Sequence, residues 1–187
     1  MKFSKLPPHQ VSFESTGMKI KVNKSAMPLI YPLAPFTNVS KIRIKGTLNG
    51  QLNLAQPELQ GQKCCDDHVL KIGLVVKGSK RLNWLQKQIA PSWVKKLYSL
   101  APKNGGIEHI YFLSAVKDKE LLGRTRNHPL NEELLKEKVA WQISEPGKFD
   151  LEYTLDQPIE TLALWLSVDG DDTMSTFELQ LSSIELQ

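Results

Sequence analysis

Two groups of side chains in this 187-residue sequence have the types and spacing for binding chemistry. The first is the acidic tip Val168-Asp-Gly-Asp-Asp-Thr173, where Asp169, Asp171 and Asp172 surround a glycine. Such a run suits a hard cation, because calcium takes roughly six to eight oxygens from carboxylates, carbonyls and water. The rest of an EF-hand loop is missing, so a bound calcium would be structural and fix the loop. The competing reading is a turn whose aspartates accept hydrogen bonds from nearby backbone N–H groups. The second group is Asp66 and Asp67 with Arg124, Arg126 and His128 on a polar loop. A guanidinium grips a carboxylate at two points and hydrogen-bonds hydroxyls equally well. These residues therefore contact an anion or a sugar, or the arginines pair with Asp66, Asp67 or the tip and tie the loops together. Either reading requires the loops to share one rim. Sugar sites add aromatic platforms; Trp84 and Trp93 are the candidates, whereas Trp141 and Trp165 read as core.

Other chemistries have less foothold. There is no Gly-x-Ser-x-Gly nucleophile, no histidine-rich metal signature and no glycine-rich phosphate loop. Asp67 and Asp171 could form a carboxylate pair for glycan hydrolysis, which needs a separation of roughly 5–9.5 Å. Cys64, Cys65 and His68 form Cys-Cys-x-x-His, which lacks the spaced ligands of a zinc site. Adjacent cysteines rarely bridge each other, so free thiols are expected.

The net charge of +4 conceals a division. Residues 1–143 carry 23 basic and 10 acidic side chains, and residues 144–187 carry one basic and 10 acidic. The basic residues Lys19, Lys21, Lys41, Arg43 and Lys45 alternate with Ile20, Val22, Ile42 and Ile44, as on strands. They are expected to meet C-terminal carboxylates across strands, and nucleic-acid binding is not expected. No run approaches the roughly 18 apolar residues of a membrane span. No signal peptide is visible in Met1-Lys-Phe-Ser-Lys-Leu-Pro-Pro, which fits a cytoplasmic protein, or an exported one written without its leader.

The elements that must position these residues read mainly as strands. Residues 1–16 form an extended lead-in, and alternation marks strands at Met18–Asn23 and Val39–Leu48. Met27-Pro-Leu-Ile-Tyr-Pro-Leu reads as an edge or irregular strand because of its prolines. Asn49-Gly50 is a turn signal, after which Leu52 and Leu54 extend the ladder. The β-prone run after Asp66-Asp67 is a central strand, and Ile107–Ser114 is another, with His109 structural within it. Leu82, Leu85, Ile89, Trp93, Leu97 and Leu100 recur at helical steps interrupted by Pro91. They predict a two-helix insert over 82–100. With Lys87, Lys95 and Lys96 beside it, that face suits a membrane surface, though the expected role is to cap the end of the core. Leu130–Trp141 predicts a short helix with Asn131 as its N-cap. Phe149–Leu155 and Leu162–Val168 read as two further strands. The last of these pairs, across the acidic tip, with Phe177–Leu186. No linker or repeat divides the chain, so one domain spans residues 1–187. About eight strands without a repeated βαβ unit predict an antiparallel β-sandwich of jelly-roll type.

The strand order and the closing segment Phe177-Glu-Leu-Gln-Leu-Ser-Ser-Ile-Glu-Leu186 resemble those of galactose-binding-like jelly rolls. Three segments, Asp66–Val76, Arg124–His128 and Val168–Thr173, more narrowly resemble an uncharacterised family of bacterial domains of unknown function, many of them exported. The resemblance covers residues 60–187. It implies a fold and no reaction. The helical insert and the absence of a visible leader depart from the family pattern.

The expected function is a non-catalytic module binding carbohydrate or another polar ligand at Asp66, Asp67, Arg124, Arg126 and His128. The alternatives are a structural or protein-interaction domain that uses the helical insert, and a carboxylate-dependent glycan hydrolase.

Overall fold

The computed structural model describes residues 7–62, 65–127 and 132–187. The chain is mainly β: nine strands form one mixed sheet and two short helices stand beside it. The strands are β1 (Gln10–Glu14), β2 (Gly17–Asn23), β3 (Leu29–Gly50), β4 (Lys71–Gly78), β5 (Gly106–Val116), β6 (Thr125–Asn127), β7 (Leu135–Gln142), β8 (Gly147–Ser167) and β9 (Thr176–Leu186). Their order in the sheet is β1-β2-β9-β3-β8-β4-β5-β7-β6. The helices α1 (Trp84–Ile89) and α2 (Ser92–Tyr98) lie between β4 and β5, within the stretch read as an insert.

Alternation accounts for most of the pairing. Ile20 and Val22 of β2, Ile42 and Ile44 of β3, and Leu179 and Leu181 of β9 are buried on one face. The basic residues between them meet acidic neighbours, as the charge division predicts. Lys19 and Lys21 approach Glu178, Lys41 lies 2.8 Å from Glu152, and Arg43 grips Asp150 through Nε at 2.8 Å and Nη2 at 2.7 Å. The β1–β2 hairpin closes at Gly17, whose φ of +123° favours glycine. A Cβ there would also lie 2.1 Å from the Leu181 carbonyl oxygen.

The two longest strands, β3 and β8, carry the sheet from one end to the other. Their mutual register shifts between Pro32 and Thr37 and again between Val39 and Lys41. Pro158 falls in the second irregularity, opposite no register partner, so β8 runs through this proline. Pro32 and Pro35 lie where β3 has only β8 beside it, as prolines in a sheet require. One apolar cluster joins Ile20, Val22, Ile44 and Leu179 to Ile72, Leu74, Leu113 and Trp141. The cluster thus runs across the sheet from β2 to β7. A second cluster, on the opposite face of β4, β5 and β8, gathers Val75, Ile110, Phe112, Ala163 and Trp165 under Leu97 of α2.

Four sequence expectations are corrected. The sheet is not purely antiparallel, because β7 runs parallel to β5. Residues 135–142 form β7 instead of a helix; Leu135 and Glu137 are buried two positions apart, and Trp141, beyond a register shift against β5, joins the first cluster on the other face. Asn131 lies outside the described residues. Leu162–Ser167 and β9 are not paired with each other: the former lies between β3 and β4, the latter between β2 and β3. The acidic tip is thus a crossover, pinned by a bridge between Ala26 and Asp169. Leu52 and Leu54 are buried, but in irregular chain after β3. The insert also divides in role. Helix α2 covers the second core through Leu97 and Trp93, whereas no residue of α1 is buried.

Candidate functional site

The loop entering β4, the crossover after β8 and the start of β7 converge on one cleft. Asp66, Asp67, Lys71, Glu137, Asp169, Asp171 and Asp172 contribute its polar groups, and Trp93, Phe112 and Trp165 its aromatic walls, around a cavity of about 110 Å³. The aromatics brace one another edge to face, Trp93 against Trp165 at 5.6 Å between centroids and Phe112 against Trp165 at 6.1 Å. The indole N–H of Trp93 is buried and has no hydrogen-bond partner among the described residues.

Asp67 is the buried clamp of this site. Its carboxylate accepts from the Thr173 backbone N–H at 2.7 Å, the Thr173 hydroxyl at 2.7 Å and the Asp172 backbone N–H at 3.3 Å. Its carbonyl accepts from Gln60 Nε2, and Gln60 Oε1 in turn accepts from the Lys117 N–H. The segment from Asp66 is thereby fixed to the acidic crossover by two backbone N–H donors and one hydroxyl.

Arg126 of β6 joins the other carboxylates. It donates from Nη2 to Asp66 at 2.5 Å and from Nε to Glu137. The second Glu137 oxygen accepts from Lys71 Nζ at 3.1 Å, and Lys71 lies 4.0 Å from Asp66. Burial opposes every charge in this network, but the network prevails. Burial would lower the Lys71 pKa, yet Glu137, Asp66 and Asp169 raise it overall. Burial would likewise raise that of Glu137, but Lys71 and Arg126 hold it below the ordinary range.

The acidic crossover is electrostatically different. Asp169 keeps some surface open to the cleft, but its carboxyl lies deep among protein atoms. Burial raises its pKa to about 7, helped by Asp67, Asp171 and Asp66, with Lys71 opposing. Burial and the nearby Asp67 charge raise Asp171 to about 6 and also raise Asp172. Behind them His68 is buried, its Nδ1 3.1 Å from the Asp66 carbonyl, and burial followed by the Lys71 charge lowers its pKa to about 3. Among the described residues, no group of three or more His, Cys, Asp or Glu side chains is placed to share a metal ion.

The candidates from sequence are therefore only partly assembled. Asp66, Asp67, Asp169, Asp171, Asp172 and Trp93 line one cleft. Arg126 lines the adjoining cavity with Arg124 and His68, separated from the first by Glu137, which borders both. His128 and Cys64 lie outside the described residues. Trp84 is 76% exposed on α1 and lines neither cavity, so it is no stacking platform for this cleft. Lys71, Glu137, Phe112 and Trp165 were not singled out for the site. A buried lysine in a β-prone strand was the available signal, since such a charge requires a partner.

No family pattern matches the chain, and no curated protein matches it. A solved structure of a surface-associated copper-binding protein, CorA of Methylomicrobium album BG8, aligns over 98% of this chain and 94% of its own. At 8% identity and a TM-score of 0.24, that similarity carries no argument about fold or function.

Proposed function

We propose that the protein is a non-catalytic binding module whose cleft takes a hydroxyl-rich ligand of the carbohydrate class. The observation that carries this reading is the convergence of Asp169, Asp171 and Asp172 with Trp93, Phe112 and Trp165 on one cavity. Carboxylates accept from sugar hydroxyls, and aromatic walls suit the apolar C–H faces of a pyranose. A ligand that donates hydrogen bonds would also relieve the crowding of negative charge that raises the Asp169 and Asp171 pKa values. The complete burial of Ile20, Ile44, Ile72 and Leu74 on one face of the sheet supports reading the fold as a sandwich of jelly-roll type. The bonds Asp67–Thr173 and Asp66–Arg126 join the three segments that resemble the uncharacterised bacterial family, which supports that kinship. A glycan array read with calcium and with chelator tests the function. Binding to a defined subset of glycans is expected, and the chelator arm reports whether the acidic crossover needs a cation.

A second reading, an interaction domain that uses the helical insert, is favoured by a separate observation. Trp84, Leu85 and Ile89 of α1 are all largely exposed. An array with no glycan ligand would leave this reading as the better one.

A further inference from the structure

We infer that helix α1 and its flanks form a site for peripheral attachment to an anionic lipid surface. Trp84, Leu85 and Ile89 are 76%, 59% and 75% exposed. At roughly 100° per residue they occupy an arc of about 140° on one side of the helix. The rest of the molecule does not use that face, since no α1 residue is buried. The helix is nevertheless firmly started by a reciprocal capping box, in which Asn83 Oδ1 accepts from the Gln86 N–H at 2.8 Å and Gln86 Oε1 from the Asn83 N–H at 2.9 Å.

Charge selects the occupant. Residues 79–107 contain Lys80, Arg81, Lys87, Lys95, Lys96 and Lys103 and no Asp or Glu at all. Lys80 is paired with Glu108 at 2.9 Å; the other five have no carboxylate within ion-pair distance among the described residues. Three of them, Arg81, Lys87 and Lys103, line a pocket of about 160 Å³ next to α1. The Arg81 guanidinium is steadied there by the carbonyls of Gly105 at 2.6 Å and Lys103 at 2.5 Å. This is the chemistry of a phosphate headgroup seat beside an aromatic and aliphatic wedge. An amphipathic helix with Trp and aliphatic residues on one side and basic residues around it lies in the interface plane, its apolar face at the headgroup boundary. Duplex nucleic acid would engage the cations and leave Leu85 and Ile89 in water. A protein partner would have to be acidic across the whole patch. The pocket beside α1 shares no lining residue with the cleft.

Co-sedimentation with vesicles tests the inference, using pure phosphatidylcholine and an equal mixture of phosphatidylcholine and phosphatidylglycerol. The expected result is partitioning onto the mixed vesicles only, falling as salt is raised, with each lysine or arginine worth on the order of fivefold. L85E/I89E should reduce binding about tenfold or more, and R81Q/K87Q/K103Q should also weaken it. Because Leu85 and Ile89 are exposed, L85E/I89E is expected to melt with the parent, which separates lost attachment from lost folding. Equal sedimentation of the parent and L85E/I89E would overturn the inference, as would no sedimentation with mixed vesicles. So would a concentration-dependent dimer, or binding of duplex DNA, found without vesicle binding.

Discussion

Asp67 holds the acidic crossover through three hydrogen bonds, so its substitution should be felt as stability. D67A is expected to lower unfolding free energy by about 1–3 kcal/mol, because it leaves the part-buried donors of Asp172 and Thr173 without their acceptor. Urea denaturation measures this. Asp169 has a different signature. Its folded pKa of about 7 lies above the ordinary value of 3.8, so between those values the native state binds more protons than the unfolded chain. Its contribution therefore favours folding at low pH and is lost as pH rises toward 7. His68 works in the opposite sense: with its folded pKa at about 3, the unfolded chain binds more protons between that and 6.5, and stability falls on acidification through this window. The two partly cancel in the parent, so the difference between parent and D169N is the clean observable. The advantage of D169N should grow from pH 4 to pH 7 and then level off; a pH-independent difference would contradict the assignment. Lys71 and Glu137 form the buried pair of the site. K71M should destabilise by about 3–5 kcal/mol, and K71M/E137Q by less than the sum of the single variants, in a double-mutant cycle of melting data. The pairing of an arginine with Asp66 was legible from charge alone. The buried Lys71–Glu137 pair was not, because partners 66 positions apart leave no local pattern.

At the scale of elements, alternation identified β2, the Val39–Leu48 part of β3, and β9, whereas β4 and β5, buried on both faces, were legible as β-prone apolar runs. The failures have particular causes. Residues 130–141 are rich in Leu, Glu and Lys, which favour helix intrinsically. The charged Glu137 at an inward position hid the strand period of β7, and only its ion pairs make that position tolerable. Residues 147–167 form one strand instead of two because Pro158, which opposes ladder bonds, falls at a register shift. The helical insert was legible, while its division of labour was not: the same apolar spacing supplies Leu97 to the core and leaves Ile89 in solvent. The difference is testable. L97A should destabilise by about 2–5 kcal/mol, as truncation of a fully buried leucine does. I89A should change the thermal midpoint little. Equal effects would mean that α1 is packed as firmly as α2.

For the whole molecule, the division of charge along the chain becomes cross-strand pairs in the sheet and leaves two charged regions. One is the cleft, where carboxylates of the β4 entry and the crossover face Trp93, Phe112 and Trp165. The other is the cationic segment 79–107. The central claim is that the cleft binds a hydroxyl-rich ligand, and a glycan array probed in parallel with the parent, W93A and D171N/D172N tests it most directly. The predicted result is a defined set of glycans bound by the parent and lost at least tenfold by both variants, which still fold as judged by thermal melting. A parent that binds no glycan, or variants that bind as the parent does, would contradict it.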